Sequence, residues 1–287
     1  MFNLLEIQDH NGYNFSKYVQ LLSDKKRNSF YKKILKEYKP KRILDYGCGI
    51  PIISKYALMA GAEKVYAIDS NPNLKPLLED FKKQHPNRFE YFITDHENLP
   101  DLKIDCVVSE LFAPNLFHEN VIKIYSACSE RYKGIDFLPS LWKLKTALCN
   151  VRDIDKNIEP VLGFSDEENW LPNKWRMLKG ERHMKFMYPI DTTQLNFEET
   201  SWFEFKNSTL DSWEFDFYCD KTQTIDCVYI NFMLSSQGHV LNLNTVDFQD
   251  HWGNQFIRLE EREVTGRAKI KVFLQDDKQH IDAKWID

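Results

Sequence analysis

The chain has 287 residues, 43% of them hydrophobic, with 20 Phe, 13 Tyr and 7 Trp, which argues against intrinsic disorder and allows one large or two moderate domains. Its formal net charge of -5 gives no global bias toward nucleic acid or an anionic membrane, and no specific nucleic-acid partner is expected. No apolar run approaches membrane-spanning length and no basic-then-apolar leader is present, so a cytoplasmic protein is expected, with the nucleus open to it in a eukaryote.

In chain order, Phe15 to Leu35 is helix-like from about Lys17, Arg42 to Tyr46 reads as a strand, and Ile52 to Met59 as a helix. Lys64 to Ile68 is the next strand, Leu74 to Gln84 a helix, Phe89 to Ile93 a strand, Ile104 to Ser109 a strand and Val121 to Arg131 a helix. Strands alternating with helices predict a mostly parallel sheet covered on both faces.

Near residue 136 the pattern changes. Strand candidates then dominate: 142–151, 200–205, 212–217, 227–233, 240–243, 254–259 and 268–274. Many short strands with polar turns predict an antiparallel sandwich or barrel. The expected organisation is therefore an α/β Rossmann-like unit with N-terminal helices over residues 1–135, then a β-barrel unit over 136–287. Residues 163–190, rich in Trp, Pro, Lys and Arg, have no clean period and read as an excursion from it. The six cysteines (Cys48, Cys106, Cys128, Cys149, Cys219 and Cys227) form no CxxC pair, which reads as scattered reduced core thiols with no metal site.

The run Asp45-Tyr46-Gly47-Cys48-Gly49-Ile50-Pro51 puts two glycines on a strand-to-helix turn, where backbone can approach a cofactor and helix N–H groups point into a cleft. Asp69 ends the next strand, where an acid can receive two ribose hydroxyls. A nicotinamide dinucleotide would be the default reading. Ile52 stands in place of the third fingerprint glycine, and the Asp45 carboxylate is awkward beside a pyrophosphate, so a nucleoside cofactor without one fits better. Asp95 and His96 follow the third strand, where the base of such a cofactor would lie, although a solvated turn before Leu99-Pro100 explains them too.

Glu110 closes the strand 104–109, and Glu119 follows after a segment containing Pro114 and Asn115. Nine residues along one helix would put the two carboxylates about two and a half turns apart on opposite faces, whereas a chain that folds back through Pro-Asn can aim both at one point. Adjacent carboxylates repel unless they share a proton or a cation, so the pair calls for a positively charged ligand.

Together, Asp45-Tyr-Gly-Cys-Gly, Val65-Tyr-Ala-Ile-Asp69 and Ser109-Glu110 … Glu119 resemble the protein arginine methyltransferases, which use S-adenosylmethionine. Asp24-Lys-Lys-Arg27-Asn-Ser-Phe-Tyr31 is similar to the helix that closes over the cofactor in that family, and Asp250-His251-Trp252 is similar to its Thr-His-Trp loop. The resemblance runs from about residue 13 to 273. It implies that Glu110 and Glu119 grip a substrate guanidinium, that Arg27 holds the methionine carboxylate of the cofactor, and that His251 and Trp252 complete the arginine pocket. The cofactor-binding set is then Arg27, Asp45, Gly47, Gly49, Asp69, Asp95 and His96.

The implied partner is an arginine-containing protein or peptide, with a small guanidino compound or a non-catalytic scaffold as alternatives. A homodimer is implied as well, with 163–190 as a candidate reduced dimerisation arm. The chain departs from the family at Pro51, where a glycine is usual, and at Tyr18 and Leu21, where the family has its active-site His and Met. The tyrosine at the first of these places resembles the monomethylating branch.

Overall fold

A computed structural model of the protein describes residues 15–112, 115–150, 182–186, 195–204, 211–243, 252 and 254–286. The helical stretch predicted at the start is two helices, α1 (Phe15–Ser23) and α2 (Lys25–Tyr38). Asp24 divides them. Its backbone is extended and its side chain accepts the Arg27 N–H at 2.8 Å, so it caps α2 and cannot continue α1.

β1 (Arg42–Tyr46), α3 (Ile52–Met59), β2 (Lys64–Asp69), a single 3-10 turn (Pro72–Leu74), α4 (Lys75–Gln84), β3 (Phe89–Ile93), β4 (Cys106–Ser109), α5 (Val121–Arg131) and β5 (Asp136–Leu138) follow. The five strands form one parallel sheet in the order β3-β2-β1-β4-β5. All four residues of β4 are buried, as a strand covered on both faces requires. β5 had no counterpart in the sequence reading. It pairs in parallel with β4, so the sheet runs on to Leu138, beyond the change of character read near residue 136.

The rest is antiparallel: β6 (Leu141–Cys149), β7 (His183–Phe186), β8 (Phe197–Glu199), β9 (Ser212–Ser236), β10 (His239–Asn242), β11 (Asn254–Leu274) and β12 (Ile281–Ile286). Their order is β12-β11-β9-β6-β8, with β10 on β9 and β7 on β11. The pairs of short strands predicted at 212–217 and 227–233, and at 254–259 and 268–274, are in fact two long strands of 25 and 21 residues. Their middles are exposed on both faces, from Asp220 to Thr224 and from Glu260 to Glu263, so no alternation marked them as strand. Register shifts between Arg258 and Arg262 and between Val264 and Gly266 bend the ribbon there.

The strand expected over 200–205 is replaced by β8 and a single bridge between Phe203 and Trp142, with Phe205 outside the described residues. Only 182–186 of the candidate arm 163–190 lie within the described residues, and they carry β7.

One apolar core runs through both sheets. Trp142 of β6 packs edge-on against Phe112, which follows β4, and also meets Tyr125 of α5. The loop after β4 is therefore gripped by the antiparallel half, and this sets the shape of the cleft described next.

Candidate active site

β1 lies between β2 and β4, so the chain turns to opposite sides of the sheet after β1 and after β4. A crevice at the carboxyl ends of such strands is where doubly wound sheets bind ligands. Here it is a cleft of about 830 Å³ walled by α1 and α2 on one side and by the loops after β1, β2, β3 and β4 on the other.

The floor is the loop after β1. Gly47 and Gly49 both adopt positive φ, at 70° and 49°. A Cβ on Gly47 would sit 2.5 Å from the Leu111 side chain, and one on Gly49 would sit 3.2 Å from the Tyr18 ring, so glycine is required by backbone angle and by space. The amides of Gly47 and Cys48 both donate to the Ile68 carbonyl, at 2.8 and 3.0 Å, tying the loop to the end of β2. The next residue, Asp69, accepts the Gly49 N–H at 2.8 Å on Oδ2 and the Asn71 N–H at 2.9 Å on Oδ1. Tyr18 of α1 closes over this floor, with Asn71 Nδ2 at 3.5 Å from its hydroxyl. Burial and the nearby Asp69 carboxylate raise the Tyr18 phenol well above its usual range, so it stays neutral.

Asp45 lies beneath the floor. It is 1% exposed and is not a lining residue of the cleft. Ser54 Oγ donates to its Oδ2 at 2.6 Å, and Oδ1 has no hydrogen-bond partner among the described residues. Burial pushes its pKa up to about 6, against the opposing effect of the Ser54 bonds.

The acidic wall is the loop from Glu110 to Asn120. Glu110 Oε2 accepts the Arg27 Nε–H at 2.8 Å, with both side chains almost wholly buried. Arg27 Nη1 donates to Asn28 Oδ1 at 2.9 Å, and the guanidinium lies 5.7 Å from the centre of the Tyr31 ring. Burial works against the charge of Arg27, and the Glu110 carboxylate, with Tyr31 and Asp24, together outweighs it, so the guanidinium is held more firmly charged. Tyr31 in turn donates to the Ser109 carbonyl at 2.9 Å, which fixes the end of β4 against α2.

Asn115 organises the far end of the loop. It is buried, accepts the Phe117 and His118 N–H groups at 3.1 and 2.9 Å, and donates to the Gln279 carbonyl at 3.1 Å in the turn between β11 and β12. Leu116 and Asn120 take positive φ of 73° and 58°, the second directly before α5. Leucine visits that region at a cost, so the fold must hold it there. The ring of His118 meets that of His280 at 4.9 Å, and the hydrogen bond from His280 holds the Asp277 carboxyl well below the usual carboxylate range.

Of the residues singled out from sequence, Arg27, Gly47, Gly49, Asp69, Asp95, His96, Glu110 and Glu119 all line this one cleft. Asp95 is at its exposed rim, accepting from Glu97 and Asn98. Asp45 is behind the cleft. Trp252 is 2% exposed, is not a lining residue, and spends its indole N–H on the Phe112 carbonyl while its ring packs edge-on to Phe232. His251 and Asp250 lie outside the described residues. Sequence reasoning missed Asn71, His118 and the Asn115–Gln279 latch. Asn71 follows the Asp69 strand end directly and was within reach of it, whereas Gln279 is brought to the loop only by the tertiary fold.

A sheet of this order with a glycine loop after its first strand and an acid ending its second defines a nucleotide-type α/β domain. A family model described as a methyltransferase domain matches residues 44–134, which span that loop, the acid and both glutamates. Protein arginine N-methyltransferase 1 of Schizosaccharomyces pombe is 26% identical over 158 residues, covering 52% of this chain and 45% of its own length. Ribosomal protein arginine N-methyltransferase rmt3 of the same organism is 25% identical over 171 residues, 55% of this chain and 32% of its own length. The match thus spans less than half of either relative.

Among solved structures, PRMT6 superposes with a TM-score of 0.75 at 15% identity, covering 95% of this chain and 100% of that one. A Trypanosoma brucei PRMT1 enzyme–prozyme complex with AdoHcy superposes at 0.74 and 18% identity, covering 94% and 92%. The chain carries a class I S-adenosylmethionine-dependent methyltransferase domain related to the protein arginine N-methyltransferases. The antiparallel domain that follows resembles their β-barrel.

Proposed function

We propose that the protein is an S-adenosylmethionine-dependent methyltransferase acting on the guanidinium of an arginine in a protein or peptide. The observation that carries this reading is the lining of one cleft by Glu110 and Glu119 together with the glycine loop, Asp69 and Arg27.

The residues present fit the cofactor. Two glycines at positive φ, where a Cβ would be strained and would crowd Leu111 and Tyr18, leave backbone at the floor, Asp69 offers a carboxylate to ribose hydroxyls, and Arg27 offers a buried cation to a carboxylate. Arg27 Nε and Nη1 are engaged by Glu110 and Asn28, and Nη2 makes no hydrogen bond among the described residues, so the fork retains a donor for a ligand. When bound, the cofactor supplies a methyl group on a sulfonium, and alignment is most of what the protein must add.

Glu110 and Glu119 clamp the planar guanidinium by paired N–H···O contacts, a geometry in which carboxylates bind this group well. The clamp orients one terminal nitrogen and draws positive charge away from it, restoring lone-pair character. The nitrogen sheds its proton as it gains the methyl group, and the adjacent carboxylates accept it without a strong base having acted first. Relatedness to the arginine methyltransferases supports this assignment of substrate.

The test is to measure S-adenosylmethionine binding by calorimetry and then methyl transfer from labelled cofactor to arginine-containing peptides, with products identified by mass spectrometry. Glu110→Gln and Glu119→Gln should each lower turnover by about 10²–10³-fold, the scale of losing a charge-stabilising group, with cofactor affinity within a few-fold for Glu119→Gln. A folded protein that does not bind the cofactor would sink the enzyme reading. Methylation confined to small guanidino compounds would overturn the protein substrate.

A further inference from the structure

The six cysteines are all buried, and only one pair of them brings sulfurs into contact among the described residues. Cys149 ends β6 and Cys227 lies directly opposite it on β9. Their sulfurs are 3.2 Å apart, inside ordinary non-bonded contact. Each sulfur also faces the other residue's carbonyl oxygen, Cys227 Sγ at 3.3 Å from Cys149 O and Cys149 Sγ at 3.8 Å from Cys227 O. Directly opposed residues of an antiparallel pair have Cα atoms about 4.5 or 5.5 Å apart, and both spacings fall within the range a disulfide spans.

We propose that Cys149 and Cys227 are a dithiol modification site, which a peroxide closes into a cross-strand disulfide. One thiolate attacks the peroxide, the O–O bond breaks, and a sulfenic acid and one water form. The second thiol attacks the sulfenic sulfur, forming the S–S bond and releasing a second water. Two thiols are oxidised and one peroxide is reduced to two waters.

The setting explains why this pair would react while being buried. β8 pairs with β6 only as far as Ala147, opposite Phe197. Cys149 therefore has β9 as its only ladder neighbour among the described residues, at the last position of its strand. Opening that strand end admits a small oxidant but not a large one. Burial, and the neighbouring Cys149 sulfur after it, raise the Cys227 thiol well above its usual range, so the reaction is slow in the closed sheet.

The bond would lie two residue pairs along the ladder from Tyr229, whose hydroxyl donates to Asn254 Oδ1 at 3.0 Å and accepts from Asn231 Nδ2 at 2.9 Å. Asn231 also donates to the Leu243 carbonyl at 3.3 Å, so this buried chain ties β9 to both ends of the segment 244–253. Closure at Cys149–Cys227 stiffens the strand on which that chain is built.

The experiment treats the full-length protein with hydrogen peroxide, quenches it, denatures it and alkylates the remaining thiols before mass spectrometry. Alkylatable thiols should fall from six to four. A peptide pair joining Cys149 to Cys227 should appear, lighter by two hydrogens than its reduced components, and vanish on treatment with a reductant. The thermal midpoint should rise on oxidation, because the bond closes a long loop, and return on reduction. Cys149→Ser should keep all five of its thiols under the same treatment. Retention of all six thiols in the wild type, a bridge between other cysteines, or over-oxidation of either residue without a bridge would each overturn the proposal.

Discussion

The Arg27–Glu110 pair should behave as a coupled unit whose halves cannot be removed independently. Arg27→Met keeps helix propensity and much of the apolar contact with Tyr31, so its cost is chiefly that of leaving Glu110 without its cation. Both side chains are about 93–94% buried, since their exposures are 6% and 7%. Breaking a buried ion pair from one side costs about 3–5 kcal/mol, and because Glu110 borders an open cleft where water can approach, the lower end of about 3 kcal/mol applies. For a protein of 287 residues that corresponds to a fall of roughly 5 °C in Tm. Glu110→Gln leaves an amide oxygen to accept from Arg27 and should cost about 2 kcal/mol.

The double variant removes both charges together and should lie within about 1–2 kcal/mol of the wild type, so the coupling energy is about 3 kcal/mol. Thermal unfolding of all four proteins without cofactor, followed by circular dichroism, closes the cycle. Additivity within about 0.5 kcal/mol would refute the reasoning, because it would mean that the two groups do not sense each other.

Asp45 sets a pH dependence. Its folded pKa of about 6 lies above the ordinary 3.8, so between those values the folded protein holds the proton more tightly than the unfolded chain. Stability conferred on this site by protonation is therefore present at low pH and lost as pH rises toward 6, with a penalty of at most about 3 kcal/mol remaining above it. Asp45→Asn, which can still accept from Ser54, should gain Tm relative to the wild type at pH 7 and lose that advantage by pH 4; a pH-independent difference would contradict this. Asn115→Ala removes the acceptor of two backbone N–H groups and the donor to Gln279, costing about 2–3 kcal/mol. Its turnover should fall about 10–100-fold through displacement of Glu119, with cofactor affinity nearly unchanged by calorimetry.

Elements whose apolar residues face a crowded interior were legible from sequence. Arg42–Tyr46, Ile52–Met59, Phe89–Ile93 and Val121–Arg131 have the same bounds in the structure as in the sequence reading. β9 and β11 were not legible as single strands, because their central residues face solvent on both sides and carry no period. The division at Asp24 shows a different limit: a capping aspartate inside a helical pattern looks like one more surface charge until its side chain is seen to accept the Arg27 N–H. Cys149 and Cys227 are 78 residues apart, and no local spacing could have shown that they face each other across two strands. In the cleft, the glycines announced themselves by their place between strand and helix. That Asp45 points into the sheet and away from the cleft depends on Ser54, one helical turn along α3, which composition does not rank above any other serine.

The position of the glutamate pair is a property of both halves of the molecule. Glu110 is held from the α/β side, by Arg27 of a helix whose cap, Asp24, fixes where that arginine begins. Glu119 sits at the other end of a loop whose middle is pinned from the β side, through Phe112 against Trp142 and Asn115 against Gln279. The positive φ of Leu116 and Asn120 lets the chain reverse between these anchors, and such conformations persist only when the surroundings over-determine them. Two like charges brought to one cleft repel, and the Arg27 pair offsets that repulsion at Glu110. The antiparallel sheet is thus a structural requirement of the acidic wall, since without the β11–β12 turn Asn115 loses the partner that holds the reversal in place. The glycine loop is tied within the α/β half, to Ile68 and Asp69, whereas the acidic wall is also anchored by the antiparallel sheet that follows.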